Sequence, residues 1–155
     1  MKIRDLLQKN SILIDLESTD KNVVLSQMAQ YMASLYNLPE APAIARKILE
    51  RESEMSTGIG FGIAIPHARI EKVDQVYMVA ARSVKGIEFN AIDEQPVHLV
   101  FLIISPTNAS AEHIKILSSL TRIMSYENMR KKLTEAETAE QFLDVLVKGE
   151  DKYVE

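Results

Sequence analysis

The hydrophobic positions change their period along the chain, and each change marks an element. Residues 2–8 read as a short helix, and Ile12-Leu13-Ile14 as an apolar patch suited to a strand or sheet edge. Ser18-Thr19-Asp20 is a helix-start signal. After it Val23, Val24, Met28, Tyr31, Met32 and Leu35 recur at helical spacing as far as Tyr36, with Met28 and Met32 read as core. Pro39 and Pro42 punctuate the next loop and open a second helix through about Arg51, with Ala45, Ile48 and Leu49 inward. Val76 to Ala81 is a β-rich run, and Ile87-Glu88-Phe89 a short strand after Gly86. Val97 to Ile104 is almost continuously apolar, as a central strand covered on both faces is. Pro106 ends it. Ser110 is expected to cap a helix to about Tyr126, with Ile114, Leu117, Leu120, Ile123 and Met124 inward. A short helix from Glu127 to Leu133 follows. The last helix opens on the pair Thr138 and Gln141 and ends near Val147, leaving 151–155 as a frayed tail. Strands alternating with helices predict one α/β domain over 1–150, with helices on either side of the sheet.

One stretch obeys neither period. Ser56 to Arg69 reads STGIGFGIAIPHAR and holds three of the five glycines, Gly58, Gly60 and Gly62, alternating with Ile59, Phe61 and Ile63. In an extended chain this alternation makes one apolar face and one bare face, where backbone N–H groups approach a ligand without a Cβ in the way. Pro66 stiffens the segment before His67, so the imidazole is aimed at an anion or a partner. The competing reading makes the glycines a bulge or a tight packing contact and the histidine a turn residue. Neither the G-x-G-x-x-G register nor a Walker lysine is present, which disfavours a dinucleotide or ATP site.

Composition narrows the classes. A chain of 155 residues suits one domain, and a net charge of −4 disfavours a nucleic-acid partner that needs a broad basic surface. The absence of cysteine excludes thiolate catalysis and cysteine-ligated zinc. Leu99 to Ile104, the longest apolar run, is too short to span a bilayer, and the first ten residues lack a signal-peptide core, so a cytoplasmic location is expected. The chemistry-bearing residues are few. His98 is read as a strand-start side chain whose ring packs or faces water. His113 lies in the first turn of a helix, where free N–H groups and the helix dipole favour an anion. Arg51 sits near a helix C-terminus, Glu52 and Glu54 are read as solvated, and no spacing pairs Asp93, Glu94 or Glu112. Zinc held by His67 and His113 would need further ligands, and no metal motif supplies them.

Taken together these residues resemble a known family. Ser56-Thr57-Gly58-Ile59-Gly60 followed by Gly62-Ile63-Ala64-Ile65-Pro66-His67 is similar to the phosphorylation-site motif of enzyme IIA proteins. These belong to the fructose–mannitol class of the bacterial phosphoenolpyruvate-dependent sugar phosphotransferase system. Arg51-Glu52, Phe89-x-Ala91, Gln95-Pro96-Val97, Val100-Phe101-Leu102, Pro106 and His113 extend the likeness over nearly the whole chain. Glu94 departs from it, standing where many relatives carry glycine or asparagine. The resemblance implies a mixed central β-sheet sandwiched between α-helices. It implies His67 as phosphoryl acceptor, His113 as its neighbour and Arg51 as a contact for the phosphoryl group. Ser56 and Thr57 would line the site, and glycine-exposed N–H groups at Gly58, Gly60 and Gly62 would help to neutralise the phosphate without cofactor or metal. The implied donor is the histidine-containing phosphocarrier protein (HPr), and the implied acceptor is an enzyme IIB, which in this class uses a cysteine. The family's nitrogen-related branch implies a second role, control of protein partners without sugar, and the run Ala91-Ile92-Asp93-x-Gln95-Pro96-Val97 is slightly closer to that branch.

Overall fold

The computed structural model describes residues 1–154. In chain order the elements are α1 (Ile3–Leu6), a turn of 3-10 helix, β1 (Ile12–Leu13), α2 (Lys21–Leu35) and α3 (Ala41–Glu54). Then come β2 (Gly58–Gly60), β3 (Ile63–Ala64), β4 (His67–Arg69), β5 (Tyr77–Ile87) and β6 (Val97–Ser105). The chain finishes with α4 (Ser110–Met124), α5 (Glu127–Glu135) and α6 (Ala139–Tyr153). The strands form one mixed sheet in the order β1-β5-β6-β3-β2, with β4 also paired to β6. β5 runs antiparallel to β6, whereas β3 and β4 run parallel to it in line along one edge.

Strand β6 explains why a single apolar run organises the domain. Leu99, Phe101 and Ile103 point into a core shared with α1, α4, α5 and α6. Val100, Leu102 and Ile104 point the other way, into a core shared with α2 and α3. All six are buried, because period-two alternation between two helical layers leaves no face for water. The expected sheet between helices is therefore what forms.

Several local expectations change in three dimensions. The glycine-rich stretch is not one extended segment; it breaks into β2, β3 and β4 around a turn at Phe61-Gly62. Phe61, Gly60 and Gly62 all have positive φ there, and Asp93 accepts the Phe61 N–H at 3.1 Å. The apolar face splits as a result: Ile63 and Ile65 are buried, while Ile59 and Phe61 project outward. Gly58 is a packing contact, since a Cβ there would stand 2.7 Å from that of Ala91. Ile87 closes the long strand β5 and Phe89 lies beyond it, so no separate strand forms at 87–89. Asp20 caps α2 as its sequence signal implied, accepting the Val23 N–H. Ser110 instead is the first residue of α4, whose N-cap is Ala109, and Ile114 faces outward. At the other end α6 continues to Tyr153, so residues 151–153 are helical rather than frayed. Glu150 explains the extension: its buried carboxylate accepts the Ile3 N–H at 2.5 Å and pairs with Arg4, tying α6 to the N-terminus. Residue 155 lies outside the described residues. Glu94 has a φ of 60°, a left-handed conformation that glycine or asparagine adopts more readily.

Substituting Gly58 by valine forces the β2 backbone away from Ala91 and is expected to cost about 1–3 kcal/mol of stability, the usual penalty for overpacking. Urea denaturation checks it, and an unchanged midpoint would show that the contact yields freely.

Candidate functional site

The site is built from one three-residue strand and the helix facing it. In β4 the side chains alternate, so Ala68 enters the α2–α3 core while His67 and Arg69 emerge on the α4 side. Parallel pairing sets His67 beside Ile103 and Arg69 beside Ser105. His113, in the first turn of α4, comes down onto the same face. The two imidazoles meet edge to face, with ring centroids 5.2 Å apart and planes at 63°.

Each ring is held through one nitrogen. His67 Nδ1 lies 2.8 Å from the carbonyl oxygen of Ile65. A carbonyl only accepts, so this contact puts the proton on Nδ1 and leaves the Nε2 lone pair free. His113 is buried, with Nδ1 2.6 Å from the equally buried Ser105 hydroxyl. Burial is the main cause that lowers the pKa of His67 from its ordinary value; the Ile65 carbonyl opposes the shift, and Arg51 and Arg69 add to it. Burial, then Arg69 and His67 itself, push His113 down to about 4. Both rings are thus neutral near pH 7, one a nucleophile by its geometry and the other an uncharged hydrogen-bonding group.

His67, His113 and Arg51 line one open cleft of about 440 Å³, together with Lys47, Arg69 and the wall residue Leu117. Three cations face it, partly balanced by Glu50 and Glu54 on the α3 side. Arg51 also donates to the Met55 carbonyl at 2.9 Å, so it closes the end of α3 as its position implied and faces the cleft as well. Arg69 is anchored to α4 by a bond to Ser110 Oγ at 3.2 Å. A cleft with converging cations and uncharged imidazoles suits a dianionic group that must be held and then released.

The other expected site residues go elsewhere. Ser56 and Thr57 do not line this cleft. Ser56 Oγ bonds the Phe89 carbonyl and the Gly58 N–H, on the far side of α3. Thr57 is buried and donates both its N–H and its hydroxyl to Glu52. Gly58, Gly60 and Gly62 lie outside the lining of this cleft: the Gly58 N–H bonds Ser56 Oγ, and Gly60 and Gly62 take positive φ in the β2–β3 turn. Glu52 is not solvated: its side chain is 2% exposed and pairs with Lys21 at 2.7 Å. Its role reaches the site indirectly, since Thr57 O accepts the Ile65 N–H and Ile65 in turn holds His67. His98 is half-buried, with Nδ1 2.7 Å from the Ser83 carbonyl, and lies outside the cleft. Among the described residues no cluster of three or more potential metal ligands forms.

Arg69, Lys47 and Ser105 are cleft or support residues that the sequence reading did not single out. Arg69 had a usable signal, because two residues beyond His67 in a strand means the same face. Ser105 and Lys47 had none, since their approach depends on β4 and β6 pairing and on how α3 packs.

Comparison with known proteins gives the family and the fold. The chain belongs to the family described as phosphoenolpyruvate-dependent sugar phosphotransferase system, EIIA 2, matched over residues 5–149. It is 38% identical over 146 residues to a fructose-specific EIIABC component from Bacillus subtilis, covering 94% of this chain but 23% of that protein. A nitrogen regulatory protein from Bradyrhizobium diazoefficiens is 34% identical, covering 94% of this chain and 95% of its own length. The fold superposes on the crystal structure of nitrogen regulatory protein IIA-Ntr from Neisseria meningitidis with a TM-score of 0.87, at 30% identity and covering 93% and 98% of the two chains. The family thus contains both sugar-specific and nitrogen-regulatory members.

Because the pKa of His113 is lower folded than in the unfolded chain, the unfolded state takes up more protons between the two values. Stability from this group is full above about pH 6.5 and is lost as pH falls toward 4. Between pH 7 and pH 4.5 the denaturant midpoint should therefore drop further in wild type than in His113→Gln. Equal drops would show that protonating His113 costs the fold nothing.

Proposed function

We propose that this protein is a phosphocarrier whose His67 takes a phosphoryl group from HPr on Nε2 and passes it to an enzyme IIB. The observation that carries the reading is the single state of the His67 ring. Nδ1–H is committed to the Ile65 carbonyl, so only Nε2 offers electrons toward a cleft faced by Arg51, Arg69 and Lys47. In the accepting step the Nε2 lone pair attacks phosphorus, and the phosphorus–nitrogen bond to the donor histidine breaks with its electron pair going to the donor ring. The His67 ring gains positive charge as the new bond forms, and the Ile65 carbonyl stabilises it through the retained Nδ1 proton. The transition state is loose, so the chain's task is to position the group and to neutralise its oxygens, which the guanidinium groups do. In the delivering step the acceptor cysteine thiolate of IIB attacks, and His67 leaves as a neutral imidazole with its Nδ1 proton still in place. Because the chain's Bacillus relative is named for EIIA, EIIB and EIIC together, a IIB unit is the natural acceptor.

A second reading, a regulatory IIA whose phosphorylation state controls protein targets, is favoured by one observation. The fold superposes on nitrogen regulatory protein IIA-Ntr from Neisseria meningitidis with a TM-score of 0.87. Transfer separates the two: label that reaches a IIB cysteine supports the carrier, and label that stays on His67 with every IIB tested supports regulation.

His67→Ala should remove all phosphate incorporation from phosphoenolpyruvate in the presence of the general phosphotransferase proteins. Retained labelling would defeat the assignment. Arg69→Ala should lower the phosphorylation rate by about 10²-fold, the usual loss on deleting one electrostatic donor. With its pKa lowered, His67 stays neutral below the ordinary imidazole midpoint, so the accepting rate should hold steady from pH 8 to about 6.5 and decline only at lower pH. A decline centred above 6.5 would contradict the burial of the ring.

A further inference from the structure

We propose that Ser105 is a positioning residue for phosphoryl transfer: its buried hydroxyl donates to His113 Nδ1 and thereby turns His113 Nε2–H toward the phosphoryl group on His67. The inference rests on the role given to His67 above and extends it to the second ring.

The geometry comes from the end of β6. Ser105 is its last residue and pairs with Arg69, so its side chain lies on the face from which His67 and Arg69 emerge. Its backbone carbonyl is used separately, accepting the Ile70 N–H at 2.8 Å, which holds the residue in the sheet. The hydroxyl is 2.6 Å from His113 Nδ1, and both residues are buried. Among the described residues this is the hydroxyl's one hydrogen-bond partner. That fixes the direction of the bond. If Nδ1 carried the hydrogen, the serine O–H would be left as a buried donor with no acceptor, which costs far more than the bond gains. With the serine donating, no buried polar side-chain atom is left unpaired, in keeping with the rest of the structure.

The proton of the neutral His113 ring then sits on Nε2, the nitrogen away from Ser105. The two histidines are thus set in opposite senses. A carbonyl, which only accepts, holds His67 so that its Nε2 is bare and nucleophilic. A hydroxyl, which donates, holds His113 so that its Nε2 carries hydrogen. With the rings edge to face at 5.2 Å, a phosphoryl group bonded to His67 Nε2 has a neutral N–H donor beside its oxygens. A neutral donor suits a carrier, because it stabilises charge that develops during transfer without trapping the dianion as a further cation would.

The test reads the tautomer and the chemistry separately. In wild-type protein with ¹⁵N-labelled histidine, long-range proton–nitrogen correlation at pH 7 should show His113 protonated on Nε2 and bare on Nδ1. Ser105→Ala should give a mixture of tautomers, and Ser105→Thr, which keeps a hydroxyl, should restore the wild-type pattern. Delivery of phosphate from phospho-His67 to a IIB acceptor should slow about tenfold in Ser105→Ala, less than the roughly hundredfold expected on deleting the donor itself. In a His113→Ala background, Ser105→Ala should cause no further slowing, since the donor that Ser105 orients is already gone. A wild-type signal from Nδ1–H, a tautomer unchanged in Ser105→Ala, or transfer unchanged in that variant overturns the proposal. Should Ser105→Ala fail to fold, the wild-type tautomer still decides the direction of the bond. A wild-type protein that takes no phosphate on His67 defeats the reading of the preceding subsection and the destination of the Nε2–H, whereas the tautomer alone reports whether Ser105 orients the ring.

Discussion

The site depends on the docking of a three-residue strand against the buried last residues of β6. Ile103 N–H bonds the Pro66 carbonyl at 3.0 Å, and Ile70 N–H bonds the Ser105 carbonyl at 2.8 Å, bracketing His67 to Arg69. Because β6 is packed between two helical layers, it cannot shift without disturbing both cores. His67, Arg69 and Ser105 inherit that rigidity, although β4 itself is too short to be stable alone. Parallel pairing is what brings Ser105 beside Arg69, residues that are far apart along the chain.

A second constraint is the pairing of buried polar groups. Glu52 is buried and paired with the partly exposed Lys21, and its carboxylate also receives two donors from Thr57. Breaking such a pair from one side leaves an unmatched charge, so the network locks the turn that carries the motif. Through Thr57 and Ile65 that turn sets the orientation of His67, while Ser105 holds His113. The two rings are supported by different elements, and burial favours the uncharged form of both. Cations at the mouth then supply the charge that the rings do not.

The elements with strong hydrophobic periods were legible in the residues. The central run 97–104, the α2 start at Asp20 and the apolar stripes of the long helices all follow from side-chain alternation and capping. Failures came where a long-range partner overrode the local signal. Glu52 looked like a surface charge until Lys21 and Thr57 were brought to it, and α6 outran its expected end because Glu150 anchors the N-terminus. The glycines of 58–62 were noticed for a sound reason, their missing Cβ. In the structure they permit positive φ at Gly60 and Gly62 and the close approach of Ala91 to Gly58, outside the histidine cleft.

By itself the sequence determined the layered α/β architecture, the family, and His67, His113 and Arg51 as residues worth following. Those signals are carried by periodicity and by motif, which need no coordinates. Tertiary structure alone decided the distance between the two imidazoles, which nitrogen of each is held, and the entry of Arg69, Lys47 and Ser105 into or behind the cleft. The reason is physical. Hydrogen-bond direction and desolvation depend on atoms that β-pairing and helix packing bring together from distant parts of the chain, and no local pattern records them.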